Sequence, residues 1–321
     1  MTASLPQDVQ AVFDRFITTE YTTIDRRGQP ITWPVTPYYD RDNGTVDVTT
    51  GLGYPKKADD AAANPKVALL FSDPTGSGLD SAPTVLVQGP ADVDDRDLDH
   101  NRERYARESA EKLPRTKDMQ PPGFMQGFFT WYYTRVYVHV RPERVYVWRD
   151  GPESEPELLD ARLDEVRSGH SEEPEAPHAE PAAREPVWDG RIDELGRRYD
   201  SAVLSLVGPD GFPLAGRVTV EPDRGARRLR LGAPPEGIPL EPGLACLTAH
   251  DHGPEFEWQR NFQVRGDLVE DGGAWALVPA MLDGGFELPP GSTLERTRQN
   301  FSKIRRFRRN AKRELAKRAS G

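Results

Sequence analysis

The amino-acid sequence predicts a mainly β protein with short helices, in which one β unit occurs twice and a basic helix follows the second unit. Three observations predict this fold class. Short runs rich in β-branched and aromatic residues alternate with turn signals, and the chain has 28 Gly and 30 Pro among 321 residues. Turn residues recur in the same order in both halves. At roughly 150 residues per domain, a chain of this length is expected to hold two domains.

Residues 1–150 are expected to form the first unit. The expected strands are 16–24, 31–39, 45–50, 67–71, 84–93 and 135–148. Helices are expected at 7–16, at 57–63, where Asn64-Pro65 ends the pattern, and in the charged run 94–117. These short strands, separated by turn signals such as Asp42-Asn43-Gly44, indicate an antiparallel β unit with helical insertions.

Residues 151–186 are predicted to be a linker, because their Glu, Pro, Ala and Ser leave too little apolar surface to bury. Strand patterning resumes in 187–290, which we interpret as a second, degenerate copy of the first unit. Its expected strands are 202–207, 216–220, 228–231, 244–249 and 262–269.

Matching turn residues support the duplication. Three pairs of glycines recur in order, and 65–68 matches 242–245 at an offset of 177. The pairs are Gly28 and Gly211 at an offset of 183, Gly51 and Gly232 at 181, and Gly89 and Gly266 at 177. Because the offsets drift in one direction, a duplicated domain explains them better than coincidence does.

The net charge of −10 is unevenly distributed along the chain. Residues 294–320 contain eleven Lys or Arg and two Glu, so this segment carries +9 and the remaining chain −19. An apolar stripe at helical spacing predicts an amphipathic helix in 291–321. We expect this helix to dock on the acidic body or in a dimer, because a nucleic acid or a membrane would explain the charge but not the stripe. The stripe consists of Phe301, Ile304, Phe307, Ala311 and Leu315.

Several classes of protein are not expected. No run approaches the ~20 apolar residues of a membrane span and the chain does not begin like a secretory signal, so a soluble cytoplasmic protein is expected. The single Cys246 excludes an intrachain disulfide and a zinc ribbon. No metal site is expected, because His250 and His252 lie in a predicted polar loop and the strand residue His139 is expected to pack rather than to bind haem.

The most informative segment is 49–71. A strand ends in a turn with Gly51 and Gly53, the adjacent Lys56 and Lys57 begin a short helix, and a buried strand follows. Free backbone N–H groups at the helix start and two ammonium groups suit a phosphate, and the glycines allow close approach of the backbone. The alternative is that both lysines are solvated at an ordinary turn.

This segment resembles the signature of the pyridoxamine 5′-phosphate oxidase-like, flavin-binding split-barrel family. Pro55-Lys56-Lys57-Ala58 falls on the family's Ser-Arg-Lys-Ala turn, Asn64-Pro65 follows at the family's spacing, and 84–89 falls on a later strand that ends in Gly. The resemblance covers about residues 10–150. Together with the repeat, it implies two split β-barrels in tandem.

The resemblance also implies a cofactor site in the first copy. Lys56 and Lys57 would hold the cofactor phosphate, and Thr49 and Thr50 would lie beside it. Trp33, Thr36 and Thr84 would line or face the isoalloxazine ring. The cofactor would be FMN or the deazaflavin F-420, because both carry a phosphate beside a flat tricyclic ring.

Two departures from the family pattern limit the implied function. The family's phosphate-binding strand arginine falls near Thr32, and no Arg-x-His follows Trp148, so oxidation of pyridoxamine phosphate itself is not expected. The sequence predicts an FMN-dependent oxidoreductase that acts on an unknown small molecule by hydride transfer, with no catalytic residue singled out. The alternatives are a deazaflavin-dependent reductase and a non-catalytic protein that carries a cofactor or binds a partner.

The second copy has lost the lysine turn. Its counterpart, 232–237, reads Gly-Ala-Pro-Pro-Glu-Gly, so that Glu236 would repel a phosphate. Members of the resembled family are usually homodimers with cofactors between two barrels. We therefore expect the degenerate copy to act as a built-in partner in an intramolecular pseudo-dimer, or the chain to form a homodimer.

Overall fold

A computed structural model describes residues 5–113, 132–160, 185–288 and 301–319 of the chain. Within these residues, sixteen strands form two antiparallel sheets, and four α-helices of eight residues or more accompany them. None of these helices is long and apolar enough to cross a membrane.

The first sheet belongs to the first half of the chain. Its strands are β1 (Thr19–Ile24), β2 (Pro30–Val35), β3 (Tyr38–Asp40), β4 (Thr45–Gly51), β5 (Lys66–Phe71), β6 (Thr84–Asp94), β7 (Arg135–Val140), β8 (Arg144–Trp148) and β9 (Glu157–Asp160). They are arranged in the order β2-β1-β5-β6-β7-β4-β3, and β8 and β9 extend the sheet from β6. Three helices accompany this sheet, namely α1 (Gln7–Arg15), α2 (Lys56–Ala63) and α3 (Leu98–Lys112).

The second sheet repeats the topology of the first. Its strands are β10 (Ala202–Val207), β11 (Pro213–Val218), β12 (Val220–Asp223), β13 (Arg228–Leu231), β14 (Gly243–His252), β15 (Gln259–Asp271) and β16 (Ala274–Leu288). Their order is β11-β10-β14-β15-β16-β13-β12, which is the path of the first sheet with each strand number raised by nine. The predicted fold class, two split barrels in tandem with a C-terminal helix, is confirmed.

The connection between the barrels is only partly described. The strand β9 lies within 151–186, the predicted linker, and pairs with β8. Residues 161–184 of that segment lie outside the described residues. The boundaries 1–150, 151–186, 187–290 and 291–321 therefore stay a prediction.

The equivalent glycines Gly89 and Gly266 show why the repeat is visible in the sequence. Each lies inside a long strand, β6 or β15, where a neighbouring backbone comes very close. A Cβ at Gly89 would lie 1.8 Å from the carbonyl oxygen of Arg141, and one at Gly266 would lie 2.0 Å from that of Val278. Because no side chain fits at these distances, both copies require glycine at this position.

Gly89→Ala should destabilise the protein by at least about 3 kcal/mol, because the added methyl group and the carbonyl of Arg141 cannot both keep their positions. Gly190→Ala is the matched control: a Cβ at Gly190 would meet nothing within 4 Å, and neither glycine has a left-handed backbone. Urea unfolding measures both variants. Equal free energies of unfolding for the two variants would contradict the close approach.

A seam joins the two barrels. Hydrogen bonds cross it, since Thr32 Oγ1 lies 2.6 Å from Ser205 Oγ and Gln88 Nε2 donates to Pro213 O at 2.7 Å. The first copy thus pairs with the second copy within one chain. An apolar cluster also crosses the seam, formed by Leu70, Leu86 and Trp148 of the first barrel and Val203, Ala215 and Ile238 of the second.

The C-terminal helix α4 (Phe301–Ala319) docks on the first barrel. Ala311 is buried in the core cluster of that barrel, and Arg318 forms an ion pair of 2.9 Å with Asp95, just before α3. The helix therefore makes the intramolecular contact that its apolar stripe predicts.

Candidate anion-binding site

The turn between β4 and α2 is held by its own hydrogen bonds. The Tyr54 N–H donates to Gly51 O at 3.0 Å, and the Thr50 hydroxyl donates to Tyr54 O at 2.9 Å. Pro55 immediately precedes the helix and restricts its first turn. These constraints fix the positions from which the two lysines at the start of α2 extend.

The two lysines point to different surroundings. Lys56 is exposed, and its ammonium forms an ion pair of 2.8 Å with Asp60, one helical turn later. The Lys57 ammonium instead lies 5.6 Å from the centre of the Tyr54 ring. Burial of this group, together with the nearby charge of Arg135, lowers the pKa of Lys57 to about 7. Only Lys57 therefore extends into the protein.

Arg135 is the second cation of the site. It is the first residue of β7 and lies opposite Gly51 of β4, and its side chain is buried. Its guanidinium donates to the hydroxyls of Tyr54 at 3.0 Å and Tyr105 at 2.9 Å, and it lies 4.3 Å from the ring centre of Tyr132. Its Nε is buried without a hydrogen-bond partner in the described parts of the chain.

We call these five residues, Lys57, Arg135, Tyr54, Tyr105 and Tyr132, the Lys57–Arg135 pocket. Within the described ranges no carboxylate pairs with either cation. The tyrosines do not balance the charge, because burial raises the pKa of Tyr54 and raises that of Tyr105 to about 12, which keeps both neutral. A shielded charge without a counter-ion is costly, which makes these two cations a candidate site for an anion.

Sequence reasoning missed Arg135. In the sequence, this arginine stands out only as the first residue of the expected strand 135–148. Residues 114–131 lie outside the described residues, whereas Tyr132 and Tyr133 are described. The useful signal was an arginine at the start of a strand, directly after aromatic residues that can shield it from water.

The structure brings some of the predicted cofactor-binding residues together. Thr50 lies in the lysine turn, and Thr49 precedes it on β4, opposite Tyr137 of β7 and half-buried. Both are therefore neighbours of the Lys57–Arg135 pocket on the same strand pair. Their predicted roles beside a phosphate stay a prediction.

The predicted ring-lining residues lie elsewhere. Trp33 packs against the second barrel, where a Cβ at Gly284 would lie 2.9 Å from Trp33 Cη2, and Thr36 follows the end of β2. Thr84 begins β6, whereas Asp94, at the far end of this 11-residue strand, pairs with Tyr137 near the pocket. The predicted roles of these three residues at the ring stay a prediction.

Thr32 occupies the position where the resembled family has its strand arginine. It is fully buried in the seam, where its hydroxyl lies 2.9 Å from that of Thr22 and 2.6 Å from that of Ser205. Its carbonyl accepts a hydrogen bond from the Thr248 hydroxyl at 3.0 Å. This position therefore serves the pairing of the two barrels.

Comparison with solved structures finds proteins of matching fold over about half of the chain. The general stress protein 26 of Bacillus anthracis is 18% identical with a TM-score of 0.32, and the match covers 48% of this chain and 96% of that one. A protein described as an F420 reductase is 20% identical with a TM-score of 0.33, covering 44% and 98%. A putative pyridoxamine 5′-phosphate oxidase of Listeria innocua is 16% identical with a TM-score of 0.31, covering 43% and 94%. No protein-family model and no curated protein matches the chain.

The chain has the split-barrel fold of these proteins in two copies. The matches cover almost all of each of these chains and about half of this one. This likeness concerns the fold alone.

The corresponding turn of the second split barrel is covered by the first. Trp148 Nε1 donates to Glu236 O at 3.0 Å, and the Glu236 N–H donates to Pro152 O at 2.7 Å. A Cβ at Gly237 would lie 3.0 Å from Pro156 Cγ. The turn offers no lysine, and the chain that follows β8 lies over it.

The histidines of the second barrel lie on a strand, which corrects the predicted polar loop. His250 and His252 belong to β14, because this strand continues to His252 in pairing with β15. His250 Nε2 lies 2.6 Å from Glu20 Oε1 in the seam, and His252 Nε2 lies 3.1 Å from the Thr18 hydroxyl. Each histidine thus has a polar partner in the first barrel, a contact that the sequence pattern did not reveal.

His139 lies on β7 and is hydrogen-bonded. Its Nδ1 lies 2.9 Å from Asp47 Oδ1, and the fully buried Asp47 also accepts from Arg104 Nη2 at 2.6 Å. The hydrogen bond to Asp47 raises the pKa of His139. These contacts connect β4, β7 and α3 beside the pocket.

Proposed function

We propose that the Lys57–Arg135 pocket binds the phosphate of a flavin and that the chain is an FMN-dependent oxidoreductase acting on a small molecule by hydride transfer. The supporting observation is the pair of cations without a carboxylate partner in the described residues, one of which has a buried, unpartnered Nε. A phosphate monoester carries about −1.5 to −2 charges at pH 7, which would balance two cations.

The donor set of the pocket fits a phosphate. Arg135 offers a planar fork of N–H donors, of which Nε is unused, and Lys57 offers a compact positive charge. The rings of Tyr105 and Tyr132 lie 4.2 Å and 4.3 Å from the guanidinium, and Arg135 is buried, which strengthens an electrostatic contact. Arg135 would thus supply, from a different strand, the guanidinium that the resembled family places at the position of Thr32.

The chain's own residues would bind and orient in this function. Hydride transfer is chemistry that the flavin supplies when it is bound. Lys57 would take up a proton as the anion enters, because its pKa of about 7 leaves the lysine only partly charged at neutral pH. The second barrel, paired through the seam, would form the wall that a partner subunit provides in a homodimer.

The alternative cofactor is the deazaflavin F-420. A pocket that recognises a phosphate accepts either cofactor, and the structural neighbours include one described as an F420 reductase and one described as a putative pyridoxamine 5′-phosphate oxidase. The alternative without catalysis is a protein that carries a cofactor or binds a partner through the same fold.

Titration of the purified protein with FMN and with F-420 tests the proposal. We expect tight binding of one of them, seen as a shift of the cofactor absorbance spectrum, with a Kd in the micromolar range or below. Glu236→Ala, in the turn of the second barrel, is the control and should leave this Kd unchanged. Binding of neither cofactor would remove the redox function, and binding without reduction of any small molecule would favour the carrier.

A further inference from the structure

The C-terminal helix α4 lies directly on the lysine turn. Asn310 Nδ2 donates to Gly53 O at 3.2 Å, and the ring centres of Phe307 and Tyr54 are 5.3 Å apart in an edge-on arrangement. A Cβ at Gly53 would lie only 2.8 Å from Phe307 Cβ. The helix and the turn therefore pack as closely as a glycine allows.

Tyr54 connects this helix to both cations of the pocket. Its ring contacts Phe307 on one side and the Lys57 ammonium on another, and its hydroxyl accepts from Arg135. A displacement of α4 would release the Tyr54 ring, and with it the groups that hold Lys57 and Arg135 in place.

The second barrel shows a related arrangement. The chain that follows β8 of the first barrel, including Pro152 and Pro156, covers the turn at Glu236 and Gly237. In the same way α4, which follows the second barrel, covers the turn of the first. Each copy is thus closed by the segment that follows the other copy, although only the first turn retains a pair of cations.

Docking of α4 brings a strongly basic helix onto the lysine turn. The helix carries nine Lys or Arg and one Glu. Through its contact with Tyr54, the docked helix holds in place the ring that lies beside Lys57 and the hydroxyl that accepts from Arg135. An anion that binds both cations needs them in these positions, so its binding and the docking of α4 should favour each other.

We infer that α4 is part of the ligand site, with Phe307 and Asn310 as positioning residues that hold the lysine turn closed around an anionic ligand. The inference deepens the proposed function and rests on it for the identity of the ligand. It needs only an inorganic dianion for its test, so the two can fail separately.

The pH dependence of anion binding reports this positioning, because it follows the titration of Lys57. Opening the site should return the pKa of Lys57 towards its ordinary value of 10.5. Among the described residues, Arg135 is the charged group that acts on Lys57, and α4 contributes Glu314, Lys317 and Arg318 near Asp59, which lies on α2 with Lys57. The other titratable groups of the turn, α2, α3 and the segment before β7 are Tyr54, Lys56, Asp60, Tyr105 and Tyr132.

The experiment compares the full-length protein with Gly53→Ala, whose methyl group displaces Phe307, and with Phe307→Ala, which removes the contact with Tyr54. Arg313→Ala, on the exposed face of α4, is the matched control. Hydrogen exchange of 305–318 is measured with and without sulfate at constant ionic strength. Sulfate affinity is measured between pH 7 and pH 9, where sulfate remains a dianion.

We expect sulfate to slow exchange in α4 about 10-fold in the natural chain and in Arg313→Ala, and to have no such effect in the other two variants. Those two variants should bind sulfate at least about 5-fold more weakly, and their affinity should no longer fall between pH 7 and pH 9. Faster exchange of α4 with sulfate would show that the helix blocks the site, and an unchanged pH profile in both variants would show a merely structural helix. Either result overturns the inference.

Discussion

Lys57→Met should weaken the binding of an inorganic dianion by about 10- to 100-fold, because a charged hydrogen bond in a shielded pocket contributes about 1.5–3 kcal/mol. Lys56→Met should change the affinity by less than about twofold, since Lys56 is exposed and paired with Asp60. The two lysines are adjacent, so this comparison keeps helix, turn and net charge the same. Isothermal titration with sulfate measures both variants.

The pH dependence gives this prediction a second, independent signature. With the pKa of Lys57 at about 7, the lysine is increasingly neutral above that pH, and a dianion binds more tightly when the lysine has taken up a proton. Sulfate affinity should therefore fall as the pH rises from 7 to 9 in the natural chain and stay level in Lys57→Met. Equal slopes in both proteins would assign the titration to another group.

Stability without ligand should change in the opposite direction. The folded protein lowers the pKa of Lys57 from 10.5 to about 7, so the charged lysine opposes folding below pH 7, and this penalty fades as the pH rises towards 10.5. Lys57→Met should raise the midpoint of thermal unfolding at pH 6 more than at pH 10. A variant that loses ligand affinity yet gains stability has lost a binding group rather than a structural one.

The sequence predicted the strands and the lysine turn well, because both depend on local signals. Each of these signals lies within a few neighbouring residues: the glycines of the turns, the β-branched runs of the strands, and Asn64-Pro65 at the end of α2. The duplication could also be predicted, since Gly89 and Gly266 are required by the same backbone contact in both copies. The sequence match between 65–68 of the first copy and 242–245 of the second was wrong by one residue, however. The register places Val67 opposite Gly89 and Ala245 opposite Gly266, an offset of 178 rather than 177.

The site could be predicted only in part, because its other half depends on contacts between distant segments. The pair of Lys56 with Asp60, one helical turn away, is local in the sequence, but the surroundings of Lys57 depend on the distant Arg135. Arg135 reaches the turn because β7 pairs with β4. The amphipathic pattern of α4 likewise predicted that the helix docks, but the surface it covers is set by the shape of the turn at Gly53.

Glu20→Ala should have a large effect on stability, about 3–5 kcal/mol, by leaving the half-buried Arg217 and the buried His250 in the seam without their carboxylate partner. Glu20 is fully buried on β1, and its Oε1 accepts from Ser72 at 2.8 Å, from Arg217 at 2.9 Å and lies 2.6 Å from His250 Nε2. Arg217 and His250 belong to the second barrel, so this one carboxylate connects both copies. Urea unfolding measures the loss.

Asp271→Ala is the matched control. Asp271 pairs with Arg228 at 2.8 Å, but both side chains are substantially exposed, so breaking this pair should cost less than about 1 kcal/mol. If both variants lost the same free energy of unfolding, the seam would be held by its apolar cluster rather than by Glu20.

The pH dependence has a definite sign. Burial alone would raise the pKa of Glu20, but the hydrogen bond from His250 and the charge of Arg217 lower it below the ordinary 4.5. The stabilisation is therefore complete above pH 4.5, and it is lost as the pH falls through the lower pKa of the folded protein. Glu20→Gln should be less stable than the natural chain at pH 7, and the difference should shrink in acid.

The Glu20 cluster also explains why the first copy pairs with the second. In the first barrel Glu20 lies opposite Pro34, and at the equivalent positions of the second barrel Val203 lies opposite Arg217. Val203 is therefore the counterpart of Glu20, and Arg217 is the counterpart of Pro34. Two first copies facing each other would bury Glu20 against proline, and two second copies would bury Arg217 against valine. Only the mixed pair brings the carboxylate to the guanidinium, so the substitution of Glu20 should weaken the preference for this pairing as well as its strength.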